Sequence, residues 1–454
     1  MSFIRSWKFA ILVLVALKQI VFISLIPVWE VPDEPAHVAY IQALVDQRRW
    51  PIFSGQGMDV TPELQTSLQQ NEAANSTRLG RHYPPNFLST DVPKGNVSRN
   101  LAARNSPAYY WYETLPYLAT SGMPLENRVL VMRLWSSLLL IWAVWLVMRV
   151  AEHIFRNPWM TGTSGFVAGF FPVSSLLFSG VNPDAGLTAL ATLAFWLMVK
   201  PVEPENILRR VIGLAVVVGL AASVKSPGWF LVLPLLGWWL QQRRSMPNRR
   251  WFFLGLGGAG IVGLLGASWL VIQYFQTTSE VLTFSGAHQA PLSWKLVLNN
   301  ALFERPVLVF TTWWGQIGWS GVSRYNFPWV YALASIVTTI AALGAVIGFC
   351  RKHFRFTSEA VLFFLGALSL EALYQYLYWQ AGLTNGTRHF PTHGRYYLPL
   401  LAPVSMFLVF GWSDLFQKHR RWGAGIVTGA VMVTMVAVAL QTWWLYAPER
   451  AAGW

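Results

Sequence analysis

The sequence predicts an all-α protein that crosses a membrane many times, and three observations support this fold class. Of its 454 residues, 54% are hydrophobic and only 12% are charged, whereas an ordinary soluble domain is about 25% charged. The mean hydropathy is positive, at +0.39. About eleven stretches contain the roughly 20 apolar residues that cross a bilayer. The same numbers exclude collagen, a coiled coil and disorder, and a lone cysteine, Cys350, excludes a disulfide scaffold.

The eleven predicted spans lie at about residues 7–28, 129–150, 161–180, 184–200, 209–225, 227–241, 252–275, 326–350, 358–379, 395–412 and 423–446. Clusters of Lys and Arg, such as Arg243 and Arg244, border the spans on one side when the N-terminus is taken as cytoplasmic. The chain is therefore expected to be a single transmembrane domain with outer loops at 29–128 and 276–325. Its C-terminus should lie outside, with no soluble domain after the last span.

The net charge of +14 would indicate a nucleic-acid partner in a soluble protein. Here the cations border predicted spans, where positive residues normally collect on the cytoplasmic side. No nucleic-acid partner is therefore expected. Because the long loops both face outward, the chemistry of the protein is predicted on the outer face.

The first informative string is V-P-D-E-P-A-H-V-A-Y at 31–40, directly after the first span. Pro35 follows two adjacent carboxylates, and Asp33 is predicted to cap a short helix. Apolar residues then recur at helical spacing, which predicts an amphipathic helix on the outer membrane surface. At headgroup level, ionised Asp33 or Glu34 can take a proton from a hydroxyl or bind a divalent cation. The simpler alternative is a helix cap beside a solvated neighbour.

Two further strings lie at the outer ends of predicted spans. N-S-P-A-Y-Y-W-Y-E at 105–113 opens a second amphipathic segment, in which Tyr109 and Tyr110 either anchor the chain at the interface or line a sugar site. V-N-P-D-A-G at 181–186 leaves Asp184 close to hydrocarbon unless it faces a polar cavity. Capping of the next span explains Asp184 equally well.

Cations at the outer interface are the candidates for phosphate binding. The string T-H-G-R-Y-Y-L-P at 392–399 places Arg395 at the start of a span, and a guanidinium can bind two phosphate oxygens at once. Lys225, at the outer end of the fifth span, is a second candidate. For both residues the alternative is that they extend to the lipid headgroups. Three more side chains from these strings complete the set of site candidates: His37, His393 and Tyr396.

Two charges are predicted to lie in mid-membrane, Lys18 in the first span and Glu371 in the ninth. Charged residues at that depth either pair with one another or mark a transport pathway. A structural ion pair between them is the simpler interpretation, and a transporter would need them in its pathway.

Taken together, these strings resemble the GT-C superfamily of membrane glycosyltransferases, which use lipid-phosphate-linked sugars. Asp33-Glu34 resembles the Asp-Glu motif of protein O-mannosyltransferases, and S-P-A-Y-Y at 106–110 resembles a first-loop motif of the superfamily. The match is closer to a largely uncharacterised bacterial branch, as four strings indicate: P-D-E-P-A-H at 32–37, N-P-D at 182–184, W-W-G-Q-I-G-W at 313–319 and G-R-Y-Y-L-P at 394–399. Many relatives carry a periplasmic C-terminal domain, and no such domain is expected after the last predicted span of this sequence.

The resemblance implies a GT-C-like enzyme of the bacterial cytoplasmic (inner) membrane that transfers a sugar, with inversion, from a polyprenyl-phosphate donor to an acceptor hydroxyl. Asp33 would be the base, with Glu34 as its partner or as a cation ligand. Asp184 would be a second ligand if Mg²⁺ or Mn²⁺ is needed. Arg395 and Lys225 would bind the donor phosphate. The acceptor stays open between glycan, lipid and protein, and the alternatives are a ligase or polymerase of lipid-linked glycans and a transporter or flippase.

The predicted topology is tested by thiol labelling of intact cells on a Cys350→Ser background. Asp91→Cys lies in the first outer loop and should react with an impermeant reagent, whereas Met246→Cys lies in a cationic loop and should not. Each variant labelled after permeabilisation serves as its own control. The reverse pattern would contradict the outward orientation of the site.

Overall fold

A computed structural model describes residues 2–51, 61–79, 101–245, 248–276, 294–315, 327–351, 357–385 and 393–451. In these ranges the chain is helical, and short 3-10 turns link several of the helices. The α-helices are α1 (Ser2–Leu25), α2 (Glu34–Val45), α3 (Pro62–Leu79), α4 (Pro107–Ala119), α5 (Leu125–Phe155), α6 (Pro158–Phe170), α7 (Pro172–Leu177), α8 (Pro183–Val199), α9 (Ile207–Val224), α10 (Val232–Gln241), α11 (Asn248–Gln276), α12 (Trp294–Asn299), α13 (Arg305–Gly315), α14 (Pro328–Cys350), α15 (Thr357–Asn385), α16 (Leu401–Leu415) and α17 (Arg420–Ala451).

Eight helical segments of the described chain are long and apolar enough to cross a membrane, judged by length and composition. They are Trp7–Leu25, Leu125–Phe155, Pro204–Val224, Arg249–Ser268, Pro328–Cys350, Ser358–Leu377, Gly394–Leu415 and Arg420–Trp444. Large apolar side chains point outward from them, and Leu264 and Phe9 are 72% and 68% exposed. Such a surface is unfavourable in water and suits lipid. The membrane class is confirmed, and the count of eleven spans stays a prediction.

The three other predicted spans are short or broken. The segment predicted at 161–180 divides into α6 and α7 at Pro172, which has no N–H to continue the helix. Its predecessor, Phe171, has an extended ψ of 133°, as residues before proline usually do. The segment predicted at 227–241 begins with the 3-10 turn Ser226–Leu231, and α8 has only 17 residues.

The helices pack into two adjoining apolar cores. One core includes residues of α1, α6, α14, α16 and α17, and the other includes residues of α2, α4, α8, α9 and α11. Helix α5 contributes to both, with Val144 in the first core and Met132 in the second. The loop between α1 and α2 also joins them, since Val31 lies in the first core and Trp29 in the second. This loop therefore lies at the junction of the two cores.

The prediction that α2 is an amphipathic surface helix is wrong. Its residues from Glu34 to Ala43 are all buried, and α2 packs against α4 and the 3-10 turn Leu101–Arg104. Burial of both faces is possible because its polar side chains have internal partners. The Gln42 side chain, for example, accepts a hydrogen bond from Thr61 at 2.9 Å. The start of α2 is consequently held by protein on all sides.

A buried ion pair between Glu34 and Arg133 of α5 fixes the loop between α1 and α2. Both side chains are fully buried, and the guanidinium binds both carboxylate oxygens, with Nε–Oε1 at 2.8 Å and Nη2–Oε2 at 2.6 Å. Arg133 also donates to the carbonyls of Ile26 at 2.6 Å and Pro27 at 2.8 Å. Glu34 accepts in addition from the backbone N–H of Trp29 at 3.0 Å. The pair therefore closes the loop at both of its ends.

The predicted ion pair between Lys18 and Glu371 is also wrong. The Lys18 ammonium donates to the Gly169 carbonyl at 2.6 Å and to the Ser175 hydroxyl at 2.9 Å. It thereby satisfies a carbonyl at the end of α6, where the helix stops before Pro172. Glu371 instead accepts hydrogen bonds from Gln375 and Tyr397. Each charge has its own partners, so neither marks a shared pathway.

The importance of the Glu34–Arg133 pair is tested with Arg133→Ala. The variant leaves a buried carboxylate without its cation, and we expect it to lower the free energy of unfolding by about 3–5 kcal/mol. The control is Arg149→Ala, which removes a half-exposed arginine that pairs with Glu152 and should cost less than about 1 kcal/mol. Denaturant titration in detergent measures both. Equal losses of unfolding free energy in the two variants would contradict the conclusion that the buried Glu34–Arg133 pair stabilises the fold more than an exposed pair does.

Candidate functional site

Four of the predicted site residues meet between the two cores and form two ion pairs. Arg395 Nη2 lies 2.7 Å from Asp33 Oδ2, and Lys225 Nζ lies 2.5 Å from Asp184 Oδ1. The ring of Tyr396 links the pairs, since its centroid is 5.0 Å from the Arg395 guanidinium and 5.5 Å from the Lys225 ammonium. Cations at these distances interact favourably with an aromatic face. The five side chains form one polar cluster, termed the charge cluster below.

Asp33 occupies the N-cap position of α2. The prediction that its side chain caps the helix is wrong, because the side chain makes no capping hydrogen bond. Its φ of 66° is left-handed, a conformation that Asp and Asn tolerate better than most residues. The carboxylate points instead toward Arg395. Burial raises the pKa of Asp33, but Arg395, with weaker help from His37, outweighs burial and lowers that pKa below its usual value. Asp33 is thus an ionised carboxylate, and its side chain is 44% exposed.

Arg395 is positioned by the 3-10 turn Gly394–Leu400, which precedes α16. The Gly394 amide donates to the Thr312 hydroxyl of α13 at 2.5 Å. A Cβ at position 394 would lie 2.5 Å from the backbone nitrogen of Trp313, so only glycine allows this approach. The close contact with α13 aims the buried Arg395 side chain at the charge cluster.

Three polar atoms of the charge cluster are buried and lack a hydrogen-bond partner within the described part of the chain. They are Nε and Nη1 of Arg395 and Oδ2 of Asp184. A buried polar atom without a partner costs about 1–3 kcal/mol. The arrangement therefore offers two nitrogens of one guanidinium to an anion and one carboxylate oxygen to a hydroxyl.

Asp184 and Lys225 are held at the ends of two neighbouring helices. The Asn182 side chain caps α8 by accepting from the Asp184 backbone N–H at 2.9 Å, so capping is done by Asn182 and not by Asp184. Lys225 directly follows α9, and its side chain is 19% exposed. It points inward to Asp184 and not to the headgroups.

The three carboxylates considered as metal ligands do not converge. Asp33 pairs with Arg395, Asp184 pairs with Lys225, and both oxygens of Glu34 are bound by Arg133. In the described ranges, no group of three or more His, Cys, Asp or Glu side chains has a geometry that could hold a metal ion. Glu34 lies behind the loop, where it positions Asp33 and does not face the charge cluster.

The remaining candidates surround the charge cluster. His37 Nδ1 lies 2.9 Å from the Tyr110 hydroxyl, and burial lowers the pKa of His37 to about 4. Burial, reinforced by Arg395, likewise lowers the pKa of His393 to about 4. Tyr109 lies deeper, where its hydroxyl accepts from the Asn182 backbone N–H at 2.9 Å. Both histidines are therefore neutral near pH 7.

Sequence reasoning missed three residues that build this region: Arg133, Asn105 and Asn182. Arg133 had a visible signal, because it is a lone cation inside the first half of a predicted span. Asn105 and Asn182 each open a quoted string, but an asparagine at a helix start reads as an ordinary cap. Residues 316–319 of the W-W-G-Q-I-G-W string lie outside the described residues.

The chain matches the model of a family described as "Predicted membrane protein (DUF2142)" over residues 17–404. No curated protein matches it. Among solved structures, ArnT from Cupriavidus metallidurans in the apo state is similar at 13% identity, with a TM-score of 0.53 over 97% of this chain and 76% of that chain. The same protein bound to undecaprenyl phosphate gives 12% identity and a TM-score of 0.53 over 98% and 77%. An Archaeoglobus fulgidus oligosaccharyltransferase gives 13% identity and a TM-score of 0.49 over 95% and 53%.

The family match covers most of the chain, and the likeness to ArnT extends over nearly all the helices described above. The protein therefore belongs to the DUF2142 family of membrane proteins and has the fold of the GT-C glycosyltransferases.

Proposed function

We propose that this protein transfers a sugar from a polyprenyl-phosphate donor to an acceptor hydroxyl at the outer face of the bacterial cytoplasmic membrane. Asp33 is the base in this proposal, and Arg395 binds the donor phosphate with help from Lys225. The observation that carries the proposal is the contact between Asp33 and Arg395, which lie 362 residues apart in sequence. It joins a proton acceptor to an anion-binding group in one partly open cluster.

A lipid phosphate is the anion that best suits this place. Two nitrogens of Arg395, Nε and Nη1, have no partner among the described residues, and each can act with Nη2 to bind a pair of phosphate oxygens. The chain has a GT-C fold, and ArnT, which shares that fold, was crystallised with undecaprenyl phosphate. The cluster also lies at the ends of two candidate membrane spans, Pro204–Val224 and Gly394–Leu415, and the end of a span is where a polyprenyl chain would present its headgroup.

The proposed reaction is a single displacement. Asp33 takes the proton of the acceptor hydroxyl while the oxygen of that hydroxyl forms a bond to the anomeric carbon. The bond from that carbon to the phosphate oxygen breaks, and its electron pair leaves with the polyprenyl phosphate. Arg395 and Lys225 stabilise the departing charge. No general acid is required because the phosphate is a good leaving group, and attack from the opposite face inverts the anomeric centre.

Donor binding must also change the partner of Asp33. Asp33 accepts a hydrogen bond from Arg395 Nη2, and a phosphate bound through the same nitrogen competes with that contact. When Arg395 turns to the phosphate, Asp33 loses its cation and becomes a stronger base. The donor thereby activates the base, and donor binding precedes proton transfer.

The two alternative functions, a transporter and a glycan ligase or polymerase, differ in the observations that bear on them. A transporter reading depended on Lys18 and Glu371, and each of these has separate local partners. A ligase or polymerase would use the same charge cluster, so it differs only in the size of the transferred glycan. Mass spectrometry of envelope glycans from cells with and without the protein identifies the transferred unit.

In our proposal Arg395 and Lys225 balance the negative charge of the phosphate. Whether Mg²⁺ or Mn²⁺ is also needed is tested by measuring turnover in the presence of a chelator.

The role of Arg395 is tested with Arg395→Lys, which keeps the charge but loses paired hydrogen bonding. We expect undecaprenyl phosphate to bind more weakly by about 1–3 kcal/mol and most transfer activity to be lost. Arg149→Lys, at a distant half-exposed arginine, is the matched control and should leave both unchanged. Binding is measured in detergent micelles. Normal lipid binding by Arg395→Ala would refute the phosphate assignment and direct attention to Lys225.

The role of Asp33 is tested with Asp33→Asn. Asparagine tolerates the left-handed backbone, so the variant should fold normally. Transfer should fall by about 10²–10⁴-fold, the usual contribution of a placed proton acceptor. Undecaprenyl phosphate should bind more tightly than to the wild type, because it no longer displaces a carboxylate from Arg395.

Tight lipid binding with lost turnover separates removal of the base from misfolding. Asp46→Asn, a change at another carboxylate of the first loop, is the control and should retain turnover. Near-normal transfer by Asp33→Asn would show that the base lies elsewhere. A comparable loss in Asp184→Asn that added Mg²⁺ repairs would move the centre to a cation site.

A further inference from the structure

A chain of hydrogen bonds links two of the sequence strings behind Asp33. The Tyr40 hydroxyl donates to the Asn105 carbonyl at 3.1 Å, and Asn105 Nδ2 donates to the Tyr110 hydroxyl at 3.2 Å. The Tyr110 hydroxyl lies 2.9 Å from His37 Nδ1. The rings of Tyr40 and Tyr110 stack with centroids 3.7 Å apart. The chain thus begins and ends on α2 and is closed through α4.

The direction of these hydrogen bonds fixes the tautomer of His37. The Tyr110 hydroxyl is fully buried and already accepts from the Asn105 amide, so its single proton must go to an acceptor. His37 Nδ1 is the acceptor within reach among the described residues. A neutral imidazole that accepts at Nδ1 carries its own proton on Nε2. Burial keeps the ring neutral, with a pKa of about 4.

His37 lies in the first turn of α2, four residues after the N-cap residue Asp33. Its backbone N–H donates to the Asp33 carbonyl at 3.2 Å, so a hydrogen bond joins the two backbones. The negative charge of Asp33 is the strongest of the charges that act on the His37 ring, ahead of Lys225 and Asp184. An Nε2–H donor in this position is suited to a carboxylate partner.

We infer that His37 is a positioning residue for the proposed base: its Nε2–H, oriented by Tyr110, holds the Asp33 carboxylate once the donor phosphate has drawn Arg395 away. This inference rests on the proposed function. It gives Asp33 a neutral partner during turnover in place of a cationic one. A neutral donor orients the carboxylate without lowering its basicity as far as Arg395 does.

The tautomer is tested by ¹⁵N NMR of histidine-labelled protein in detergent, with the His37 signals assigned by their loss in His37→Gln. We expect a protonated Nε2 and an unprotonated Nδ1 in the wild type, and loss of this preference in Tyr110→Phe. Tyr112→Phe is the matched control, because Tyr112 is also on α4 but donates to the Trp135 carbonyl at 2.8 Å. A protonated Nδ1 in the wild type, or no change in Tyr110→Phe, would overturn the inference.

The positioning role is tested by the turnover of His37→Gln and His37→Leu. A glutamine amide can place a donor near the position of Nε2, whereas leucine cannot. We expect kcat to fall by up to about 10²-fold in the leucine variant, with a clear recovery in the glutamine variant and undecaprenyl phosphate binding unchanged in both. Equal turnover of the two variants would overturn the role. Failure of the proposed function would appear as near-normal transfer by Asp33→Asn and would leave the NMR result unchanged. It can therefore be distinguished from failure of the inference about His37.

Discussion

The buried ion pair between Glu34 and Arg133 is the constraint on which the geometry of the site depends. The loop between α1 and α2 contains two left-handed residues, Trp29 with φ 74° and Asp33 with φ 66°. Such residues cost about 1–3 kcal/mol each and persist only where the surroundings enforce them. Arg133 enforces them by binding the Glu34 carboxylate and two loop carbonyls at once. The loop is therefore rigid behind Asp33, and the Asp33 side chain is left facing the charge cluster.

Burial separates the functions of two adjacent carboxylates. Glu34 is fully buried, so breaking its pair would expose an unpaired charge to a low dielectric at a large cost. Asp33 is 44% exposed, and its contact with Arg395 can be exchanged for another partner at a much smaller cost. A base that is activated by a ligand needs a fixed backbone, which Glu34 provides, and a side-chain contact that can be exchanged, which is the contact of Asp33 with Arg395. The same logic explains why two nitrogens of Arg395 have no partner in the described part of the chain, whereas all three nitrogens of Arg133 donate hydrogen bonds.

The sequence was sufficient for the membrane fold class and for the set of residues that meet in the charge cluster. Asp33, Asp184, Lys225 and Arg395 could be selected because each is a charge at the end of an apolar segment, where charge is costly without a function. Which carboxylate meets which cation could not be predicted, since the pairing depends on tertiary packing over separations as long as 362 residues. The same limit explains the wrong pairing of Lys18 with Glu371. The enclosure of α2 was missed because the helix buries polar side chains whose partners are Thr61, just before α3, and Tyr110 of α4.

The central claim is that the donor phosphate and Asp33 compete for Arg395. A structure determined by electron cryomicroscopy with undecaprenyl phosphate bound tests it most directly. The account predicts a phosphate bound to Arg395 Nη2 together with either Nε or Nη1, the two paired donor edges of a guanidinium. It also predicts that the Arg395–Asp33 distance, now 2.7 Å, lengthens beyond about 3.5 Å, the limit of a direct hydrogen bond. A lipid phosphate bound elsewhere, with the Arg395–Asp33 contact intact, would contradict it.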